Sequence, residues 1–316
     1  MTKTEIIQQF RNAVADKPYS LFLDSLYDAE SLYKGFTLCS PSSYSESYDT
    51  KVYNHYMKAG KGSKANEDEL LARALHDSCI SRHMRKFLTA YPERTQVGIM
   101  GGHGLLRTDK CYWNVVFLSK RLTEEGFLMI TGGGPGAMEA AHLGAWMAGR
   151  DNSEVYLALR MLSVAPSFKD ERWLETAFAV IKRFPQNKFK SLGIPTWLYG
   201  HEPATPFATH IAKFFDNSIR EDTILTIAFG GIVYTPGSAG TVQEIFQDAT
   251  QNHYLSFGYS SPMIFYGTDF WTKEMPVYPF LSSMMESGRY KNLLLHLTEN
   301  DEEIVSIIKK FASEEA

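Results

Sequence analysis

The sequence has 316 residues, 44% of them hydrophobic and 22% charged, with a formal net charge of −4 and a pI near 6.2. This length and composition are typical of a globular protein that buries a large core. The mild acidity leaves no basic surface for a polyanion, so we expect no nucleic acid among the partners and favour a small anionic ligand.

Cysteine content and hydropathy indicate the cellular compartment in which the protein is expected. Cys39, Cys79 and Cys111 are widely spaced and form no CxxC pair, which argues against a disulfide framework and against a zinc site, so no metal is expected. The first 16 residues alternate charged and apolar side chains, unlike a secretory signal, and no stretch of 18 residues is apolar throughout. We therefore expect a cytoplasmic protein with no membrane partner.

Residues 1–94 are predicted to form a mostly helical N-terminal extension. Apolar residues recur at helical spacing near the start of the chain, and residues 66–90 form a longer amphipathic run. The polar stretches at 40–49 and 59–66 have the composition of loops between these helices.

From residue 96 onwards, apolar runs alternate with glycine-rich turns and helical patterns. This alternation predicts an α/β, Rossmann-like parallel sheet flanked by helices, whose ligands bind at the carboxyl ends of the strands. Residues 95–316 are accordingly predicted to form a nucleotide-binding domain, with an insertion at about 151–192 that covers the site. Strands are expected at residues 97–100, 127–130, 194–198, 227–234 and 263–266, and helices at 109–125, 137–149, 171–183, 210–226 and 302–311.

Two glycine turns each follow an apolar run and open a helix: TGGGPGAME at 131–139 and PGSAGTVQE at 236–244. Glycine lets the backbone approach a ligand closely, and the first amides of a helix lack internal partners and carry the positive end of its dipole. Two such turns on one rim predict a site for a phosphorylated ligand. The residues expected to bind it are Gly132, Gly133, Gly134, Gly136, Gly237, Ser238, Ala239, Gly240 and Thr241, with Gly102, His103 and Met138 as further lining.

Two charged residues near these turns each admit two interpretations. Glu244 lies one helical turn beyond Gly240, where its carboxylate either faces a bound ribose or merely complements the helix dipole. Arg220 either reaches the ligand or forms a surface pair with Asp216, four residues earlier. His103 is predicted to line the site without a catalytic role, because a histidine in a turn is equally a hydrogen-bonding loop residue.

Three segments together resemble a known family. GGGPGAMEAA at 132–141, NSIRED at 217–222 and PGSAGTVQE at 236–244 look like the marks of the LOG family, often labelled lysine decarboxylase-like, whose pattern is PGGxGTxxE with an upstream arginine. The resemblance covers about residues 95–270, and the helical leader makes the layout similar to the longer bacterial nucleotide 5'-monophosphate nucleosidases. Ser238 stands where the family has its second glycine, and Glu221 follows the arginine where short members have a basic residue.

The resemblance implies a hydrolase that cleaves the N-glycosidic bond of a nucleoside monophosphate and releases the base and ribose 5-phosphate. By position, Arg220 and Glu244 are its catalytic pair; it uses no cofactor and forms a homo-oligomer, a dimer or a tetramer. Neither glycine turn holds a lysine that would form a Schiff base, so the decarboxylase label is not expected to describe the activity. Because Ser238 departs from the pattern and the chain has a large helical leader, a protein that binds or senses a nucleotide without cleaving it is the alternative; the Glu221 departure bears on substrate preference.

Overall fold

The structure, a computed structural model, describes residues 2–15 and 17–314. Met1, Asp16, Glu315 and Ala316, which belong to the predicted extension and domain, lie outside the described residues. Among the helices of the described part, none combines the length and the apolar character that crossing a lipid bilayer requires.

The chain begins with helical elements and continues with alternating strands and helices. The strands are β1 (Gln96–Met100), β2 (Leu128–Thr131), β3 (Ser191–Gly193), β4 (His210–Ile211), β5 (Ile232–Tyr234), β6 (Pro262–Tyr266) and β7 (Leu294–Thr298). The helices are α1 (Lys3–Val14), α2 (Ala29–Leu32), α3 (Tyr48–Ala59), α4 (Glu67–Leu88), α5 (Lys110–Glu124), α6 (Ala137–Trp146), α7 (Asn152–Leu162), α8 (Trp173–Arg183), α9 (Asn217–Ile227), α10 (Ala239–Tyr254), α11 (Val277–Glu286) and α12 (Asp301–Ser313).

The seven strands form one sheet in the order β4-β3-β2-β1-β5-β6-β7, and all neighbouring strands pair in parallel. The predicted Rossmann-like α/β fold is therefore confirmed. The chain runs from β1 outwards to β4, returns to place β5 beside β1, and then continues to β7 on the other side. Strand order thus reverses between β1 and β5, and open α/β sheets bind their ligands outside the carboxyl ends of the strands at such a point.

Both faces of the central part of the sheet are buried, and alternate side chains of β1, β2, β5 and β6 enter two separate cores. On one face, Ile99 and Val233 pack with apolar side chains of α5, α6, α7, α8 and α12. On the other face, Met100 and Tyr234 pack with side chains of the N-terminal segment and of α9, α10 and α11. Residues 151–192 carry α7 and α8, so these helices cover a face of the sheet.

The N-terminal segment is attached to the edge of the sheet and to the start of α9. Tyr27 forms an antiparallel bridge with Ile211 of β4. The buried carboxylate of Asp77 accepts hydrogen bonds from the backbone amides of Phe215 (3.0 Å) and Asp216 (2.9 Å). These contacts fix the residues that lead into α9.

Three predicted elements differ from the structure. The predicted helix at 210–226 is wrong in its first part, because β4 occupies His210–Ile211 and α9 begins only at Asn217. The predicted strand at 194–198 is displaced, since β3 ends at Gly193, and the predicted strand at 227–234 is too long, since β5 begins at Ile232. The apolar residues between β4 and α9 mimic a helical period because they are buried by the N-terminal segment, and the side chain of Asp216 then caps α9 by accepting from the Ser218 amide.

Candidate functional site

Gly102 joins the glycine turns at the carboxyl edge of the sheet. Its amide donates to the carbonyl of Pro236 (3.0 Å), and its own carbonyl accepts from the amide of Ala137 (3.1 Å). The first bond links the turn after β1 to the turn after β5, and the second links it to the start of α6. The two glycine turns that the sequence singles out therefore meet on one rim, beside the point where strand order reverses.

A cleft of about 350 Å³ opens at this rim. It brings together both charged residues predicted for the site, Arg220 and Glu244, together with the turn after β1 and the beginning of α10. Its lining consists of Met100, Gly101, Gly102, His103, Met138, Tyr199, Glu202, Arg220, Glu221, Ser238, Ala239, Gly240, Thr241, Gln243, Glu244 and Gln247.

The first glycine turn is buried, and its backbone contacts the guanidinium of Arg220. Gly132, Gly133, Gly134 and Gly136 are all buried. The Arg220 guanidinium donates to the carbonyl of Ile194 through Nε (2.8 Å) and to that of Gly132 through Nη2 (3.5 Å). A Cβ at Gly132 would lie 2.1 Å from Nη2, so glycine is required for this contact. The turn therefore contributes to the cleft through the arginine that it seats and through Met138.

The second turn is open to the cleft. Ser238, Ala239 and Gly240 are exposed at the start of α10, and no side chain of the described residues caps this helix. Its first amides are therefore available to an anion. Ser238 has φ −122°, which any residue adopts, so its side chain is accommodated without strain. Gly237 is more constrained, because a Cβ there would lie 2.2 Å from the Thr241 hydroxyl.

Glu244 is a partly buried side chain whose pKa lies near neutral pH. Burial raises its pKa to about 7; the charge of Arg220 acts in the opposite direction, and that of Glu221 adds to the rise. A carboxylate with a pKa near the working pH is suited to proton transfer. The structure places Glu244 in the same cleft as Arg220 and beyond the first turn of α10.

In the wall formed by α9 and α10, side-chain amide groups donate to carboxylates of α9. The side-chain amides of Asn217 (2.6 Å) and Gln243 (3.1 Å) both donate to the carboxylate of Glu221, and that of Gln247 donates to Asp222 (2.9 Å). Since a carboxylate accepts only, these bonds turn the two glutamine NH₂ groups towards α9. The carbonyl oxygens of Gln243 and Gln247 are left as acceptors.

The opposite wall contains residues that the sequence analysis did not identify. Tyr199 and Glu202 belong to the connection between β3 and β4, and Glu202 Oε1 lies 3.7 Å from His103 Nε2. His103 is exposed, and its ring centre is 6.1 Å from that of Phe168, in the segment between α7 and α8. No motif marks position 202, because the loop reaches the cleft only through the fold. Nothing from 151–192 is among the residues that line the cleft in the described part of the chain.

A buried histidine supports the first turn from behind. His142 Nε2 lies 2.8 Å from the Thr131 hydroxyl, which accepts a hydrogen bond from the Gly133 amide. Its Nδ1 lies 2.9 Å from the Ser191 hydroxyl. Burial lowers the pKa of His142 to about 3, so it stays neutral and holds β2, β3 and the turn together. Across residues 2–15 and 17–314, no group of three or more His, Cys, Asp or Glu side chains is placed to hold a metal ion.

Comparisons with known proteins give similar folds at low identity. No protein-family model and no curated protein matches the chain. The molybdenum cofactor binding protein from the phototrophic bacterium Rippkaea orientalis is 16% identical, with a TM-score of 0.42 over 69% of this chain and 97% of that one. The molybdenum cofactor carrier protein from Chlamydomonas reinhardtii is also 16% identical, with a TM-score of 0.43 over 69% and 99%. A structural-genomics target, TM1055, is 20% identical, with a TM-score of 0.45 over 68% and 98%.

The contact between Gly132 and Arg220 can be tested through Glu244. We expect Gly132→Ala to displace the guanidinium and so raise the pKa of Glu244 further above about 7, because Arg220 lowers it. Gly134→Ala is the matched control, since its Cβ would meet the flexible end of Met138 at 2.8 Å and Glu202 Oε2 at 4.0 Å, an ordinary van der Waals distance, but not Arg220. The measurement is an NMR titration of protein labelled at glutamate carboxyl carbons, with Glu244→Gln identifying the resonance. If Glu244 titrates in Gly132→Ala as it does in the wild type, the contact between Gly132 and Arg220 does not control the pKa of Glu244.

Proposed function

We propose that this protein is a nucleoside 5'-monophosphate phosphoribohydrolase of the LOG type, which adds water across the N-glycosidic bond to give the base and ribose 5-phosphate. The observation that carries the proposal is that Arg220 and Glu244 face one cleft beside an uncapped helix start, with the pKa of Glu244 at about 7. A cytoplasmic homo-oligomer acting without a cofactor is part of the same proposal.

The start of α10 is the end of the cleft that suits the phosphate. Backbone amides at a helix N-terminus point at a bound anion, and the helix dipole favours its charge by about 0.3–1 kcal/mol when exposed and up to roughly 2 kcal/mol when partly buried. The exposed hydroxyl of Ser238 adds a donor at the same place. The single turn binds an anion only weakly, so the positive charge of Arg220, which lines the same cleft, is needed as well.

The two charged side chains suit the chemistry of the ribose. When the N-glycosidic bond breaks, its electron pair leaves with the base, and positive charge develops on the sugar. The ionised carboxylate of Glu244 stabilises that charge, orients the attacking water and accepts its proton. Arg220, which lines the same cleft, holds the phosphate or the ribose hydroxyls, and the departing base takes up one proton from solvent. Groups positioned in this way contribute on the order of 10²–10⁴ in rate.

The direct test is incubation of the folded protein with a panel of purine and pyrimidine nucleoside monophosphates, followed by chromatography of the free base. We expect release of base and an equal amount of ribose 5-phosphate from at least one of them. Failure to release base from every nucleotide, with a protein that melts cooperatively, would reject the proposal.

Glu244→Gln separates binding from chemistry. The substitution keeps the shape of the side chain and removes its charge, so we expect the dissociation constant for the nucleotide to stay similar while kcat falls by roughly 10²–10⁴. Glu171→Gln, at an exposed position outside the cleft, is the matched control and should keep wild-type kcat. Wild-type turnover in Glu244→Gln would assign Glu244 a purely structural role at its helix end.

The raised pKa of Glu244 predicts the pH dependence of the reaction. Below pH 7 the carboxyl is mostly protonated and cannot stabilise positive charge, so kcat/KM should rise with pH through a midpoint near 7. Asp248, whose pKa burial also raises to about 7, is bonded to the Tyr234 hydroxyl inside the core and provides the control. Asp248→Asn should keep the step in kcat/KM, and the residual activity of Glu244→Gln should lack it. If Asp248→Asn loses the step in kcat/KM and Glu244→Gln keeps it, the step belongs to Asp248, and the prediction for Glu244 is wrong.

One observation favours a second function, nucleotide binding without cleavage. Arg220 already donates to two backbone carbonyls, so its guanidinium is held by the protein before any ligand arrives. A binding or sensing protein would use the same cleft and give a tight dissociation constant with zero turnover across the panel. A nucleotide that binds and is hydrolysed excludes this alternative.

A further inference from the structure

We propose that Glu202 recognises the base of the nucleotide, and that the base is of the guanine class, with a ring N–H next to an exocyclic amino group. The inference rests on the proposed function for the location of phosphate and ribose. It adds the part of the cleft that this function leaves unassigned, the wall formed by Tyr199, Glu202, His103 and Met138.

Glu202 is held in place by its backbone. Its amide donates to the carbonyl of Tyr199 (2.8 Å), and the amide of Thr205, three residues later, donates to the carbonyl of Gly133 (2.8 Å). The loop is thus fixed to the buried glycine turn on which Arg220 sits. The Glu202 side chain is 20% exposed, so it faces the cleft from a defined position with part of its surface open to a ligand.

The carboxylate of Glu202 has unused acceptor capacity. Its Oε1 lies 3.7 Å from both His103 Nε2 and His201 Nε2, beyond hydrogen-bond distance, and no hydrogen bond to it is found among the residues that the structure describes. The carboxylate of Glu221, in contrast, already accepts two side-chain amides. A carboxylate that is partly removed from water and left without donors gains from a ligand that supplies them.

The hydrogen-bonding pattern of the cleft selects among bases. Besides Glu202, the side chains of Gln243 and Gln247 offer carbonyl acceptors, while each of their NH₂ groups donates to α9 through one of its two N–H bonds. A carboxylate accepts two parallel bonds from guanine, whose N1–H and 2-amino group are adjacent donors. Adenine and cytosine place a ring-nitrogen acceptor beside their amino group, and uracil flanks its one N–H with two carbonyls, so each sets an acceptor against the carboxylate.

Tyr199 supplies a surface for the ring of the base. Its side chain is 43% exposed and lies in the same wall, three residues before Glu202. An exposed aromatic face stacks on any base, and stacking therefore contributes affinity without choosing among them. Discrimination among the bases therefore depends on the carboxylate of Glu202.

The test compares guanosine and inosine 5'-monophosphates, which differ only in the 2-amino group. Losing one hydrogen bond to a charged group reduces kcat/KM by roughly 10–100-fold, so we expect the wild-type protein to prefer the guanosine nucleotide by that factor. Glu202→Gln should bring the two values within roughly 3-fold of each other, by lowering the value for guanosine monophosphate. Glu171→Gln is the matched control and should keep the preference.

The outcomes separate this inference from the proposed function. Hydrolysis without preference for guanosine over inosine monophosphate, or a preference that Glu202→Gln leaves intact, overturns the role of Glu202 and leaves the hydrolase proposal standing. If no nucleotide is hydrolysed, the hydrolase proposal fails, and the dissociation constants of the same two nucleotides decide the base assignment. Equal dissociation constants would then overturn it, and a roughly 10–100-fold difference that Glu202→Gln removes would support it.

Discussion

The site depends on one residue of the backbone, Gly102, which donates to the turn after β5 and accepts from the first amide of α6. These bonds hold together three connections that come from different parts of the sequence. They also explain why the cleft lies where it does, since β1 and β5 are the neighbours between which strand order reverses. Arg220, from α9, and Glu244, from α10, reach a common space because both helices begin at this edge.

The two glycine turns have different tasks in the resulting site. The turn at 236–241 opens α10, which no side chain of the described residues caps, whereas the turn at 132–136 is buried and holds the guanidinium of Arg220 over Gly132. The N-terminal segment takes part as well, because Asp77 binds the amides of Phe215 and Asp216 immediately before α9. Two contacts therefore fix the position of Arg220. Gly132 leaves space for its guanidinium, and Asp77 of α4 holds the backbone immediately before α9.

The sequence predicts β1, β2, β5, β6 and both glycine turns, because each of these has a local pattern. It displaces β3, assigns β4 to a helix and contains no prediction for β7. The apolar spacing from His210 to Phe215 is helical and predicts a helix, yet the pairing of Tyr27 with Ile211 makes the first of these residues a strand. Glu202 was not identified at all. Both differences have the same physical origin, since each is decided by contacts between residues far apart in the chain, which no local period contains.

The charges in the cleft give Arg220 a second effect on the reaction. Glu202, Glu221 and Glu244 line the cleft together with Arg220, and the charge of Glu221 already raises the pKa of Glu244. A phosphate that enters beside α10 adds negative charge and raises it further, which favours the protonated carboxyl. Arg220 acts in the opposite direction, so the fraction of Glu244 that is ionised in the complex depends on the arginine staying in contact with Gly132. In the proposed reaction, Arg220 thus both holds the substrate and limits the rise in the pKa of Glu244 that the phosphate causes.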